Sequence, residues 1–254
     1  MSALIVNIRV ILALLLREAR IRHGRSRIGY SWSIIEPVLL ISALTTIFSL
    51  VSGQSASVPD FAIFFATGVL PYQYFRNSSQ FISAAFEQNR PLFNYPLVKP
   101  MDAIFARVVL EFATNVFVMA LVLSFQIYVL GADPPSDYAQ LLLIILLITC
   151  FSFAAGLNLA LGKRQFASVG NIYMILMGPS FFLSCVFYSL SSLPSNFRDI
   201  LVWNPLVHVV EGFRGAYFPD YQMQDVDLMY VVWWTVVLAF FGVLRERVEK
   251  RKEI

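Results

Sequence analysis

Six stretches of this 254-residue chain, 33–52, 60–82, 102–130, 138–161, 167–190 and 226–244, are long and apolar enough to be read as membrane crossings. A helix needs roughly 20 mostly apolar residues to cover about 30 Å of hydrocarbon. Composition agrees, with 58% hydrophobic residues, 14% charged and a mean hydropathy of +0.68. Soluble domains run nearer half apolar and about a quarter charged. A water-soluble fold of this size has nowhere to hide so much apolar surface, and a bilayer removes the need. The sequence predicts an all-α integral membrane protein, with residues 1–254 forming one domain of six transmembrane helices.

Lysine and arginine placement gives the direction of the crossings, because these residues collect on the cytoplasmic side. With the N-terminus inside, sixteen of the 19 cations fall on the inner side. They are Arg9, Arg17, Arg20, Arg22, Arg25, Arg27, Arg90, Lys99, Arg107, Lys163, Arg164, Arg245, Arg247, Lys250, Arg251 and Lys252. Only Arg198 and Arg214 fall outside, and Arg76 lies within a span. Both termini are therefore expected in the cytoplasm. The apolar run from Val10 to Leu16 is too short to cross, and no small-residue cleavage site follows it, unlike a removable signal peptide. On a helix Arg9, Arg17 and Arg20 share an arc of about 80°. That predicts an interfacial helix within a cytoplasmic segment 1–32. Residues 245–254 form a cytoplasmic tail.

Two connections are long. The inner one, 83–101, is broken by Pro91, Pro96 and Pro100, and sets Leu92, Phe93, Tyr95, Leu97 and Val98 in a loop facing cytosol. Two readings stand: a docking surface for another protein, or a loop tucked against the bundle. The outer one, 191–225, is too long for a structureless loop in a compact domain. Ser195 caps a short piece carrying Phe197, Ile200 and Leu201. Asn204 followed by Pro205 is a helix start. Beyond it Leu206, Val209, Val210, Phe213, Ala216 and Tyr217 recur at three and four, leaving His208, Glu211 and Arg214 on the other side. Both pieces are expected to dip into the outer leaflet as a rim over the bundle.

Ionisable groups inside spans are functional candidates by default. Arg76 lies about 16 residues into its span, about 24 Å from the outer end. It is read either as snorkelling to the inner headgroups or, with Gln73, Asn77, Ser79 and Gln80, as lining an aqueous path. Arg107 and Glu111, four apart, are expected to pair. Ser152, Gly156 and Ala160 at spacings of four signal close helix packing. Gly156 to Arg164 falls short of a phosphate-binding loop: the glycines are one residue too far apart, and Arg164 stands where Ser or Thr would hold magnesium. His23 and His208 are the only histidines, and Cys150 and Cys185 the only cysteines, both in apolar runs and read as small buried groups. No catalytic constellation, metal site or nucleotide-binding motif is found, so ATP-driven work needs a separate subunit.

The stretch LLREARIRHGRSRIGYSWSIIEP, Leu15 to Pro37, resembles the start of type-2 ABC exporter permeases. LFNYPLVKPMDAIFARVVLE (92–111) and WNPLVHVVEGFR (203–214) are similar to the capsule polysaccharide export permeases of Gram-negative bacteria, the KpsM type, more than to O-antigen permeases. The resemblance runs over nearly the whole chain. It implies a homodimer in the bacterial inner membrane, bound to two ATPase subunits that carry the ATP and magnesium, with no cofactor in this chain and no nucleic acid. The cargo it implies is a lipid-linked, often acidic, polysaccharide, passed on to a periplasmic co-polymerase and an outer-membrane channel. Pro91, Leu92, Phe93, Asn94, Tyr95, Pro96, Leu97 and Val98 match the family's ATPase coupling helix. Trp203, Asn204, Pro205, His208, Glu211 and Arg214 fall in its periplasmic gate of two short helices. Arg22, Arg25 and Arg27 become a first contact for an anionic cargo. Aromatic faces suit sugar C–H surfaces, so the path candidates are Tyr30, Trp32, Tyr72, Phe75, Arg76, Tyr173, Phe181 and Tyr188. An O-antigen or teichoic-acid exporter is the alternative within the family. An ion-coupled secondary transporter is the alternative outside it, though no repeat between the two halves supports that.

Overall fold

A computed structural model describes residues 3–24, 29–52, 58–95, 97–223 and 225–252. All regular structure among them is helical: α1 (Ala3–Gly24), α2 (Gly29–Ser52), α3 (Val58–Ser83), α4 (Ala85–Asn89), α5 (Pro100–Leu130), α6 (Tyr138–Gln165), α7 (Val169–Phe182), α8 (Ser195–Leu201), α9 (Pro205–Tyr217) and α10 (Leu228–Lys252). Short 3-10 turns sit at Arg90–Asn94 and Leu190–Ser192.

Four segments are both long and apolar enough to cross a bilayer: Trp32–Val51, Pro100–Leu130, Tyr138–Gln165 and Leu228–Glu249. Helix α3 also has the length, 26 residues or about 39 Å. It carries too many polar groups to face lipid, and the fold answers by putting it in the middle. Residues 65–75 of α3 are all buried, enclosed by α2, α5, α6 and α9.

The expected span 167–190 is not one continuous helix. Helix α7 has 14 residues and ends at Phe182, about 21 Å of rise. Pro179 in its last turn removes a backbone donor, and Cys185 takes a left-handed φ of 58° that an α-helix cannot include. The apolar residues after Phe182 instead form an irregular turn packed on the start of α9. Backbone out of helix is tolerated at membrane depth only where protein satisfies it.

The small-residue signal on α6 reports a close crossing with α3. Ser152, Gly156 and Ala160 are buried, and a Cβ on Gly156 would lie 2.7 Å from Ile82 and 3.0 Å from the Ser79 carbonyl. Overpacking of that kind costs about 1–3 kcal/mol. Gly156→Ala is expected to lower the melting midpoint of the detergent-solubilised protein by roughly a few degrees, whereas an unchanged midpoint would show that the helices can part without loss.

Candidate functional site

The inner connection is half tucked and half open. Leu92, Phe93 and Val98 pack against a cluster built on Leu14, Ile82, Phe86 and Ile104. Pro91 and Asn94 point out, and so do Tyr95 and Leu97, 63% and 64% exposed. Both sequence readings thus hold for different side chains of one segment. Pro91 opens the 3-10 turn, the Tyr95 N–H donates to the Leu92 carbonyl at 3.1 Å, and the Lys99 N–H donates to the Asp102 carboxylate at 3.0 Å, closing the start of α5. The segment is therefore a folded ledge. Pro96 falls outside the described residues.

What holds the ledge to the bundle is a polar cluster that local sequence spacing does not reveal. Arg107, fully buried, forms its direct ion pair with Glu18 of α1 at 3.0 Å. This corrects the expected pairing with Glu111, whose carboxylate accepts from Ser78 Oγ at 2.9 Å and Asn115 Nδ2 at 3.1 Å. The same guanidinium donates to the Phe81 carbonyl at 2.6 Å, near the end of α3, and to Gln88 Oε1 at 2.6 Å on α4. Asn89 Nδ2 donates to Glu18 Oε1 at 2.6 Å, and Arg17 donates to Asn89 Oδ1. Four elements, α1, α3, α4 and α5, so meet on one ion pair. Arg17 consequently faces the bundle, while Arg9 and Arg20 stay exposed. The Arg22 side chain, Arg25, Arg27 and the Tyr30 side chain fall outside the described residues.

A second cluster closes the opposite end. Asn204 caps α9 as expected, accepting from the Leu206 N–H at 3.1 Å, and its amide also donates to the Leu183 carbonyl at 3.1 Å. The supposed polar side of α9 is not open: His208, Glu211 and Arg214 are all buried. Arg214 donates to the carbonyls of Cys185 (2.6 Å), Val186 (2.7 Å) and Tyr188 (2.9 Å), satisfying the irregular turn after α7. It pairs with Glu211 at 3.0 Å, and its guanidinium lies 4.0 Å over the Phe64 ring. Glu211 also accepts from the Tyr221 hydroxyl at 2.9 Å, a phenol that burial pushes up to about 12 and so keeps as a donor. Trp203 is exposed, as are Phe197 and Ile200 on α8. These residues form a packed plug with an apolar rim.

The path candidates separate in the structure. Tyr72 and Phe75, named as path candidates, are buried within the protomer: Tyr72 donates to the Met177 carbonyl and Phe75 stacks on Phe151 at 4.6 Å. Trp32 is exposed, and Tyr173, Phe181 and Tyr188 are half-buried along the α7 edge. Arg76 lies beside them, its carbonyl accepting from the Tyr173 hydroxyl at 3.4 Å. Its Nε is buried without a hydrogen-bond partner, and no ion pair to a described residue meets its guanidinium. Of the cysteines, Cys185 is buried and Cys150, contrary to expectation, is exposed; both thiols are free.

A bundle of long apolar helices with a folded ledge at one end and a packed plug at the other has the form of a transporter's membrane component. The chain belongs to the ABC-2 type transporter family, whose model matches residues 9–218. It is 35% identical over 232 residues to the polysialic acid transport protein KpsM of Escherichia coli, covering 91% of this chain and 89% of the relative. It is 29% identical over 243 residues to the capsule polysaccharide export inner-membrane protein BexB of Haemophilus influenzae, covering 96% and 92%. It is 22% identical over 239 residues to the O-antigen export system permease protein RfbA of Klebsiella pneumoniae, covering 91% and 90%.

His208 gives the plug a pH dependence. Its Nδ1 accepts from the Asp227 N–H at 3.0 Å, so Nε2 carries the proton and donates to the Val202 carbonyl at 2.8 Å. Burial, the leading cause, holds the imidazole below its ordinary value, which is about 6.5. A depressed histidine stabilises the fold above the unfolded value, and that contribution is lost as pH falls below about 6.5 towards the folded value. The melting midpoint is expected to drop roughly a few degrees between pH 7.5 and 5.0, with a smaller drop in His208→Gln. Equal drops in both proteins would remove His208 from the explanation.

Proposed function

We propose that this chain is the membrane half of an ATP-driven exporter that moves a lipid-linked, acidic capsular polysaccharide across the bacterial inner membrane. The names of the relatives, polysialic acid transport and capsule polysaccharide export, support the cargo class. Six crossings with both termini in the cytoplasm fit the charge distribution, with α7 and the turn after it completing the fifth. Two ATPase subunits carrying ATP and magnesium dock on the outward side of the ledge, at Tyr95, Leu97 and their neighbours. A periplasmic co-polymerase and an outer-membrane channel take the polymer onward.

A hydrated polymer cannot pass through lipid, so its path runs between two copies of the chain. Helix α7 supports that arrangement. It has no buried residue, touching α3 only along the half-buried line of Tyr173, Met177 and Phe181. Its other side, with Asn171, Ile175 and Gly178 exposed, is free to meet a partner protomer or the path between them.

The observation that carries the reading is Arg76. An uncompensated cation is costly at this depth, and it persists where something anionic passes. The carboxylates of an acidic polymer supply that charge, with Tyr173 and Trp32 offering aromatic faces to the sugar rings.

In inverted vesicles holding the permease and its ATPase, polymer uptake is expected to require ATP. Arg76→Gln is expected to lower uptake about tenfold, the loss of one charge-assisted contact, while the ATPase still co-purifies and Arg76→Lys retains part of the uptake. Uptake without ATP would refute the exporter reading, and full uptake by Arg76→Gln would take the cargo away from this residue.

A further inference from the structure

At the end of the bundle that carries the ledge, a cavity of about 570 Å³ lies between α4, the 3-10 turn, the last turn of α6 and the end of α10. Its volume falls within the range of small-molecule sites. Arg90, Lys163 and Arg164 converge on it, with Glu87 and Glu249 at its walls and Phe86 at its floor. The charges are unevenly answered. No described residue forms an ion pair with Arg90. Lys163 Nζ donates to Ser83 Oγ at 2.6 Å, which leaves two of its three N–H groups. Arg164 lies flat over the Phe86 ring at 4.3 Å and stands 3.6 Å from Glu249, a long ion pair. Glu249 is shared in turn with Gln165 at 3.1 Å, and Arg245 adds a fourth cation nearby, bonded to Gln165 at 3.3 Å.

The surroundings indicate what the cavity takes. On α10, Phe240, Phe241, Leu244 and Val248 are exposed, an apolar strip that passes the cavity about a third of a turn round the helix from Glu249. Phe166, next to Gln165, is also exposed. A cationic hollow flanked by a lipid-facing apolar strip presents two surfaces to one amphiphile: charge for its head and hydrocarbon contact for its tails. Basic pockets between membrane helices on the cytoplasmic side bind anionic headgroups in this way.

We infer that this cavity is a site for the phosphate of an anionic phospholipid, with its acyl chains lying along α10. Phosphate there would bridge Arg90 on the ledge to Lys163 and Arg164 on the bundle, bracing the segment on which the ATPase docks. Such a site couples the composition of the inner leaflet to the position of the ledge, and it does not depend on what the permease exports.

The test uses the full-length permease, purified without its ATPase in mild detergent, incubated with an equal mixture of phosphatidylglycerol and phosphatidylcholine and read by native mass spectrometry. Preferential retention of phosphatidylglycerol is expected. Lys163→Gln and Arg164→Gln are each expected to lower that retention about fivefold, while Arg198→Gln at the far end, an equal change in net charge, leaves it unchanged. Melting midpoints within a degree or so of wild type identify the variants that remain folded. Equal retention of the two lipids would overturn the proposal, as would wild-type retention in both folded cavity variants or an equal loss in Arg198→Gln. In a separate preparation co-expressed with the ATPase, loss of ATPase co-purification in Arg164→Gln with lipid retention intact would assign the cavity to a protein partner and also overturn it.

Discussion

Two buried guanidinium groups hold this chain together where its helices stop. A helix crossing lipid satisfies its own backbone, but each break leaves carbonyls that water cannot reach. Arg107 serves the break between α3 and α4, and Arg214 the break after α7. The two sites share a design. Each arginine is fully buried, paired with a glutamate at 3.0 Å, and laid over a phenylalanine ring, Phe81 in one case and Phe64 in the other. Removing one member of such a buried pair costs about 3–5 kcal/mol, because the partner charge is left without compensation. The irregular segments exist because these clamps exist, and the irregular segments are where the chain differs from a plain bundle.

Much of the framework was legible in the sequence, for physical reasons. Four spans stand out because hydrophobic length is a local property. The start of α9 was read from Asn204 and Pro205 because capping depends on neighbours two and three residues away. The crossing of α3 and α6 was announced by Ser152, Gly156 and Ala160, because backbone approach needs small side chains at helical spacing. The failures were of another kind. Glu18 and Arg107 are 89 positions apart, so spacing within α5 offered Glu111 as a partner and gave no hint of α1. The run 167–190 is apolar throughout, and apolarity does not distinguish a continuous helix from a short helix followed by a packed turn. Spacing set the polar residues of α9 on one side without saying what they meet, because nothing local records the carbonyls of Cys185, Val186 and Tyr188 that Arg214 satisfies.

The clamps also divide the molecule by mobility. At the plug, α9, the turn after α7 and the start of α3 are tied by charge-assisted bonds. At the ledge, α1, α4 and α5 are tied through Glu18 and Arg107. Helix α7, between them, rests on a single line of half-buried side chains and is the element with least to hold it. Under the proposed exporter reading, a push on the ledge passes through the inner clamp into α5 and α1, and α7, which has no buried residue, is the element best placed to shift. Coupling in an ATP-driven exporter requires this combination of a stiff receiver and a loose wall.

The most direct test of that division is to weaken the inner clamp without emptying it. Glu18→Gln keeps the size and one acceptor oxygen for Arg107 and Asn89, and removes the countercharge together with the second oxygen that Arg107 uses. In vesicles holding the permease and its ATPase, the ratio of polymer moved to ATP hydrolysed is predicted to fall about fivefold, equivalent to about 1 kcal/mol of lost coupling, with ATPase binding retained. An unchanged ratio in a folded Glu18→Gln protein would contradict the claim that the stroke passes through this ion pair.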